Sequence, residues 1–371
     1  MSGGAPGAHR IVIARLVNRL RARLHVAAAA REEAAHWRAE YKALRDEYRE
    51  RGERERVARE RLKTQSEQRS RRIPSAETLQ HMLRARTPLA QRRAAQAKGR
   101  TPYAPAINLD GSARLTTIDG LIWWVPVMPS QSAASVERMM LKQRFPYLAI
   151  GQTREVAVGG VMLDIGANVG RMAIPRAILG DATRVFCAEA DEFNYHCLAA
   201  NIRDNGLTGL VIADHMAISD RAGRLPLERR KMSGSHRVVY TGAVPDEAAT
   251  VPCMTLDGWV DRHGIDLAEV TFIKVDTQGS EVHVLAGAAR VLAQPHIAWQ
   301  IEIAPSHLRL AGSDPATLYR VLTERFSYFF DMNPDAEGPR LRSIAELPSA
   351  LAYLDAGAAA QTDVVVYRTA H

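Results

Sequence analysis

A chain of 371 residues with 46% hydrophobic content can bury a full core and carry an extension besides. The net charge of +8 is uneven: residues 1–100 hold 25 Lys and Arg against 11 Asp and Glu, and the remainder holds 24 against 30. A mildly acidic C-terminal two-thirds argues against a domain that grips nucleic acid, and no apolar run approaches the roughly 20 residues that span a bilayer.

The basic part comes first. From about Ile11 to Ser70 the pattern is helical, with a heptad register through Ile13, Leu16, Leu20, Arg23, Ala27, Ala30, Ala34, Trp37, Tyr41, Leu44 and Tyr48, good to Tyr48 and poor after it through Arg51, Glu55, Ala58 and Leu62. Steps of three and four predict a coiled-coil seam, and self-association is its first expectation. The start sets apolar residues against arginines, which suits an anionic membrane surface as a second expectation. A solvated charged helix is the third, because the seam is rich in alanine. Pro74 ends this helix, a second is expected over Ala76 to Lys98, and Gly99 to Pro105 reads as a linker.

Residues 101–150 read as linker, hairpin and lead-in helix. Leu115–Ile118 and Leu121–Val125 flank Asp119-Gly120, a two-residue turn signal. Trp123 and Trp124 are adjacent, so they face opposite ways; one of them is a candidate pocket wall, with a core or edge-packing role at least equal to it. Val136 to Gln143 is the expected helix.

From residue 151 to 371 strands and helices alternate, which predicts an α/β, doubly wound, Rossmann-like parallel sheet. Strands are expected at 161–164, 185–189, 210–213, 271–275, 297–303, 327–331 and 363–368. The stretch VMLDIGANVG at 161–170 is an apolar run, an acid and a glycine turn. Its spacing is G-x-x-x-G after an acid, neither the dinucleotide fingerprint nor a P-loop. Asp164 would repel a phosphate and suits a ligand with a cationic end. Such a ligand is expected to meet free amides at the start of the following helix. Glu189 follows about 20 residues later at the next strand end, where nucleoside sites place the acid for ribose hydroxyls.

Asp164, Glu189, Asp276 and Glu302 thus fall at the carboxyl ends of strands, where such sheets bind ligands. A metal reading with His215, His236 or His283 is the rival for these acids. With no HExxH-type spacing the expectation is no metal and turnover without divalent ions. Cys187, Cys197 and Cys253 have no paired spacing, which fits a reducing, cytoplasmic setting, peripheral at a membrane if the first helix binds one.

LDIGANVG (163–170), Asn201 to Gly206, TLDGW (255–259), IKVDTQGSE (273–281) and LAGAARVL (285–292) together resemble the FkbM-type class I S-adenosylmethionine-dependent methyltransferases. The resemblance covers none of the first hundred residues. It implies a seven-stranded sheet with a reversed final strand and S-adenosyl-L-methionine as cofactor. By resemblance Asp164, Gly166, Asn168 and Gly170 would bind the methionine part, Glu189 the ribose, and Asp214 to Ala217 would border the adenine. Asp276, His236 and Glu302 would be the candidates for a base on the acceptor side. The implied reaction is O-methylation of a small-molecule or glycan-like acceptor. Methylation of protein, lipid or RNA, and a non-catalytic scaffold with a degenerate nucleoside domain, are the alternatives. Two departures stand out: the family usually has Asp-Val-Glu-Gly where this chain has Asp276-Thr277-Gln278-Gly279, and Phe-Glu-Pro where it has Ala188-Glu189-Ala190. The first puts any inherited acid-base role at residue 278 in doubt.

Overall fold

The computed structural model describes Glu60 and residues 74–97, 107–142 apart from 118, 145–240, 249–333, 341–355 and 360–368. The chain divides into two compact units, Met1–Thr64 and Gln65–His371. The expected coiled-coil seam and the Gly99–Pro105 linker lie outside the described residues.

In the second unit the strands are β1 (Ser112–Thr116), β2 (Ile122–Pro126), β3 (Gly160–Ile165), β4 (Ala182–Glu189), β5 (Val211–His215), β6 (Ala217–Ser219), β7 (Gly223–Glu228), β8 (Arg237–Val238), β9 (Ala249–Thr255), β10 (Val270–Val275), β11 (Ala298–Ile303), β12 (Tyr328–Asp331), β13 (Arg342–Ser343) and β14 (Thr362–Tyr367). The main sheet runs β13-β12-β14-β11-β10-β3-β4-β5. Its β5, β4, β3, β10 and β11 are parallel neighbours, and β14 inserts antiparallel between β11 and β12. This is the reversed final strand expected, with the two-residue β13 added as an eighth, edge strand. Every residue of β3, β11 and β14 is buried, as in strands covered on both faces, and the buried residues include the polar Asp164, Gln300, Glu302, Thr362 and Asp363.

A second sheet, β6-β9-β7-β8, was not legible in the sequence. Its strands are short, and two carry prolines, Pro226 and Pro252, that argue against strand on propensity. The segment Glu281–Leu292 forms two helices, Glu281–Ala286 and Ala289–Leu292. It breaks at Gly287, where a Cβ would lie 2.1 Å from the Ser219 carbonyl. The Asp257 carboxylate accepts from the amides of Arg290 (2.9 Å) and Val291 (3.2 Å), and its own amide donates to the Gly287 carbonyl at 3.1 Å. TLDGW and LAGAARVL therefore clasp one another. They are framework and not site.

The hairpin departs from its expected turn. Thr116 faces Ile122, so the loop has five residues, with the Asp119 carboxylate accepting from the Thr117 hydroxyl. The hairpin docks on the helix Glu192–Asp204 through two asparagines one turn apart. Asn205 accepts from the Ile122 amide (2.9 Å) and donates to its carbonyl (2.7 Å). Asn201 does the same for Trp124, at 2.5 and 3.1 Å, and also donates to the Val169 carbonyl at 2.9 Å. Each amide thus satisfies the outer edge of β2 as a neighbouring strand would. Trp123 is buried and Trp124 donates to Asp204 at 2.8 Å, so neither is the pocket wall expected.

The helix Ala76–Ala97, assigned by sequence to the basic extension, belongs to the second unit. Leu79 and Leu83 are fully buried, Arg86 donates to the Leu179 carbonyl, and Gln91 donates to the Gly120 carbonyl at 3.1 Å. Charge composition misled here because it counts residues and carries no information on the apolar seats of Leu79 and Leu83. Exposing the two leucine seats costs about 3–6 kcal/mol. A chain beginning at Thr101 is therefore expected to melt well below one beginning at Gln65, and equal melting temperatures would count against this packing.

Candidate functional site

A cavity of about 350 Å³ opens at the carboxyl ends of the parallel strands, within the size range of small-molecule sites. Along the sheet edge come Glu189 at the end of β4, Gly166 after β3, Asp276 after β10 and Glu302 in β11, and all four line it. Three strand spacings of about 4.8 Å separate Glu189 from Glu302, roughly 14 Å. The cavity is therefore long, with an acid at each end.

At one end Glu189 is buried and held by backbone. Its Oε2 accepts from the Asn168 amide at 2.8 Å and its Oε1 from the Asp191 amide at 2.9 Å. Burial raises its pKa to about 7, against the pull of those two amide bonds. Oε1 also accepts a longer bond from Asn194 Nδ2 at 3.4 Å, and Oε2 keeps a further lone pair for a ligand. Asn194 donates to the Ser233 carbonyl at 2.9 Å, which draws the Met232–Gly234 loop over this end. Ala190, Met216, Ala217 and Ile218 complete the wall.

At the other end Lys274 sits between Asp276 (3.0 Å) and Asp164 (3.7 Å). Burial opposes the ammonium, but the two carboxylates outweigh it and hold its pKa above the usual lysine value. Gln278 Nε2 lies 3.1 Å from Asp276 Oδ1 and 3.1 and 3.2 Å from the two Glu302 oxygens. Burial first, then Asp276, Glu281 and Asp363, push the Glu302 pKa well up. Among the described residues no group of three or more His, Cys, Asp and Glu is arranged to hold a metal ion.

Several expected site residues stand elsewhere. Asp164 is wholly buried and does not line the cavity. Side chains alternate along a strand, so with Ile165 on one face Asp164 points to the other, beneath the turn, where it serves as counter-ion to Lys274. Gly170, with φ +89°, packs on Leu198 and Ile174 and leaves no room for a Cβ. Asp214 accepts from Trp259 Nε1 at 2.8 Å and His263 Nε2 at 2.6 Å, away from the cavity. Nor are the amides of the glycine turn free: those of Gly166 and Ala167 donate to the Ala188 carbonyl, that of Val169 to Asn168 Oδ1 and that of Gly170 to the Ala167 carbonyl.

Gly166, Asn168, Glu189, Ala217, His236, Asp276 and Glu302 do meet on the cavity. Residues missed from the sequence include Lys274, Asn194 and Gln278 as a wall residue. A lysine inside the apolar run VTFIKV was a visible signal for the first. Among the described residues two non-glycines have positive φ, Asn168 (+51°) and Gln278 (+57°), and both line the cavity.

Residues 164–330 match the family model for the methyltransferase FkbM domain. Over these residues the chain is similar to the methyltransferase FkbM domain. All the cavity acids fall within it, while Val125, Gln131, Met139 and Met140, which also line the cavity, precede it. Among solved structures, the FkbM methyltransferase of Methylobacillus flagellatus KT is 19% identical over 56% of this chain and 44% of its own, with a TM-score of 0.35. The chain thus spans under half the length of that protein. TYW2 of P. horikoshii in complex with MeSAdo is 13% identical over 70% of this chain and 73% of its own, TM-score 0.33. TrmK of M. capricolum in complex with S-adenosyl-homocysteine is 8% identical over 60% and 69%, TM-score 0.32. No curated protein matches the chain. No helix among the described residues is long and apolar enough to cross a membrane.

Proposed function

We propose that this domain binds S-adenosyl-L-methionine and methylates an oxygen on a sugar or glycan-like acceptor. One observation carries the reading: a single cavity has a buried, backbone-held carboxylate, Glu189, at one end and a carboxylate pair, Asp276 and Glu302, at the other. The carboxylate of Glu189, with Oε2 open and Oε1 closed only by the long Asn194 bond, suits a ribose diol, and the adjoining wall of Ala190, Met216, Ala217 and Ile218 fits a flat base. The sites for methionine and adenine assigned by resemblance shift accordingly, to Asn168 in place of Asp164 and Gly170, and to Ala217 in place of Asp214.

When bound, the cofactor supplies an electrophilic methyl on a sulfonium, and the sulfur leaves with the electrons of the broken bond as a neutral thioether. The chain's own residues then have two tasks. They hold the acceptor in line, which by itself supplies much of the acceleration. They also take its hydroxyl proton as the new carbon–oxygen bond forms. We assign the second task to Glu302, which lines this end of the cavity beside Asp276. Asp276, pinned by Lys274, accepts a hydrogen bond from a neighbouring hydroxyl. His236 is the weaker candidate. Its Nδ1 accepts from the Arg230 amide at 2.9 Å, so the neutral ring carries its proton on Nε2 and offers a donor.

The first test is thermal shift and calorimetry with S-adenosylhomocysteine, followed by transfer of labelled methyl to a panel of sugars and glycosides. Stabilisation by the nucleoside and label retained on a hydroxyl are expected. No stabilisation would sink the cofactor assignment, and label on amines alone would sink the O-methylation.

A further inference from the structure

We infer that Gln278 is a positioning residue: its amide bridges Asp276 and Glu302 as a donor that does not titrate, and so keeps both side chains as acceptors facing the acceptor end of the cavity. This rests on the methyltransferase reading above.

The geometry argues for it in three steps. One nitrogen lies within 3.2 Å of both carboxyl groups, and an amide oxygen in its place would face only acceptors. The backbone is held for this purpose in the left-handed region, at φ +57°, which costs a non-glycine residue energy and persists only where neighbours enforce it. The neighbours do enforce it. Buried Glu281 accepts from the Thr277 amide (2.9 Å), the Thr277 hydroxyl (3.0 Å) and the Gly279 amide (3.3 Å). Gly279 is pressed so closely on the His307 carbonyl that a Cβ would lie 2.3 Å away.

The surroundings explain why a donor is needed. Asp276 and Glu302 are faced by Lys274 on β10, Asp164 on β3, Glu281 on the following helix, Asp363 on β14 and His307. Lys274 is already engaged by Asp276 and Asp164. Without a second donor, the acids would share protons, and the number available to take the acceptor's proton would change with pH. A glutamate at 278 could bridge them only while protonated. The glutamine removes that dependence, and two acceptors held on one amide suit neighbouring hydroxyls of a polyol.

The test compares melting temperatures of the full chain and Gln278→Glu from pH 5 to 8, with and without S-adenosylhomocysteine. The added acid is protonated more strongly folded than unfolded, so its pKa is raised on folding. The variant should match the wild type near pH 5 and fall behind as pH rises, by about 3 °C per pH unit until the folded pKa is passed. Gln278→Leu, which removes the donor without adding an acid, should diverge with the same sign. A gap that stays constant over this range in both variants would mean that the side chain only packs, and would overturn the inference. The nucleoside reports separately: a wild type that S-adenosylhomocysteine does not stabilise sinks the methyltransferase reading, whatever the pH profile shows.

Discussion

Glu189→Ala is expected to weaken S-adenosylhomocysteine binding by about 2–4 kcal/mol, roughly 30- to 1,000-fold, the loss of two hydrogen bonds to a charged acceptor with partial replacement by water. The wild-type affinity should itself depend on pH. Burial raises the Glu189 pKa from 4.5 to about 7, and only the carboxylate accepts from both ribose hydroxyls. Binding therefore releases a proton below that pKa. Affinity should fall roughly tenfold for each unit below pH 7 and level off above about pH 8. The unliganded protein should show the opposite trend from this group. Its folded pKa is raised, so the stabilisation is full below the unfolded value of 4.5 and is lost as pH rises towards about 7. Calorimetry of the wild type and Glu189→Gln across pH 5.5 to 8.5 checks the assignment, because the amide should bind weakly and without the slope. A wild-type affinity flat over that range would remove Glu189 from the site.

Gly166→Ala should be the most damaging single methyl in the domain. Gly166 has φ +77°, and a Cβ there would stand 1.8 Å from the Asp276 carbonyl oxygen. The Asp276 amide in turn donates to the Ile165 carbonyl at 3.0 Å, so the ends of β3 and β10 are tied together at this point. Separating them moves the loop that carries Asp276 and Gln278. Strain in the left-handed region and overpacking against backbone, which cannot rotate aside, together cost about 3–5 kcal/mol. A lower melting temperature and loss of nucleoside binding should appear together. A variant that melts like the wild type would show that the two loops can part.

The sequence by itself determined the alternation of strands and helices, the turn at Gly166 and the placing of Glu189, Asp276 and Glu302 at one edge of the sheet. Those signals are local: a buried parallel strand is an apolar run, and a turn needing positive φ selects glycine. The motifs also carried the resemblance to the family. What they did not carry was the direction in which each motif residue faces. Asp164, Gly170 and Asp214 sit in or near the right motifs but serve a buried ion pair, a helix contact and the Trp259–His263 pair. A shift of one residue along a strand changes the face, and only the packed sheet sets it. The second sheet, the docking of the hairpin through Asn201 and Asn205, and the membership of Ala76–Ala97 in this unit depend on partners about 20 to 115 residues away. The role of Gln278 lies in the same class: a single amide reads as a lost acid in the sequence, and only the folded chain sets it between two carboxylates.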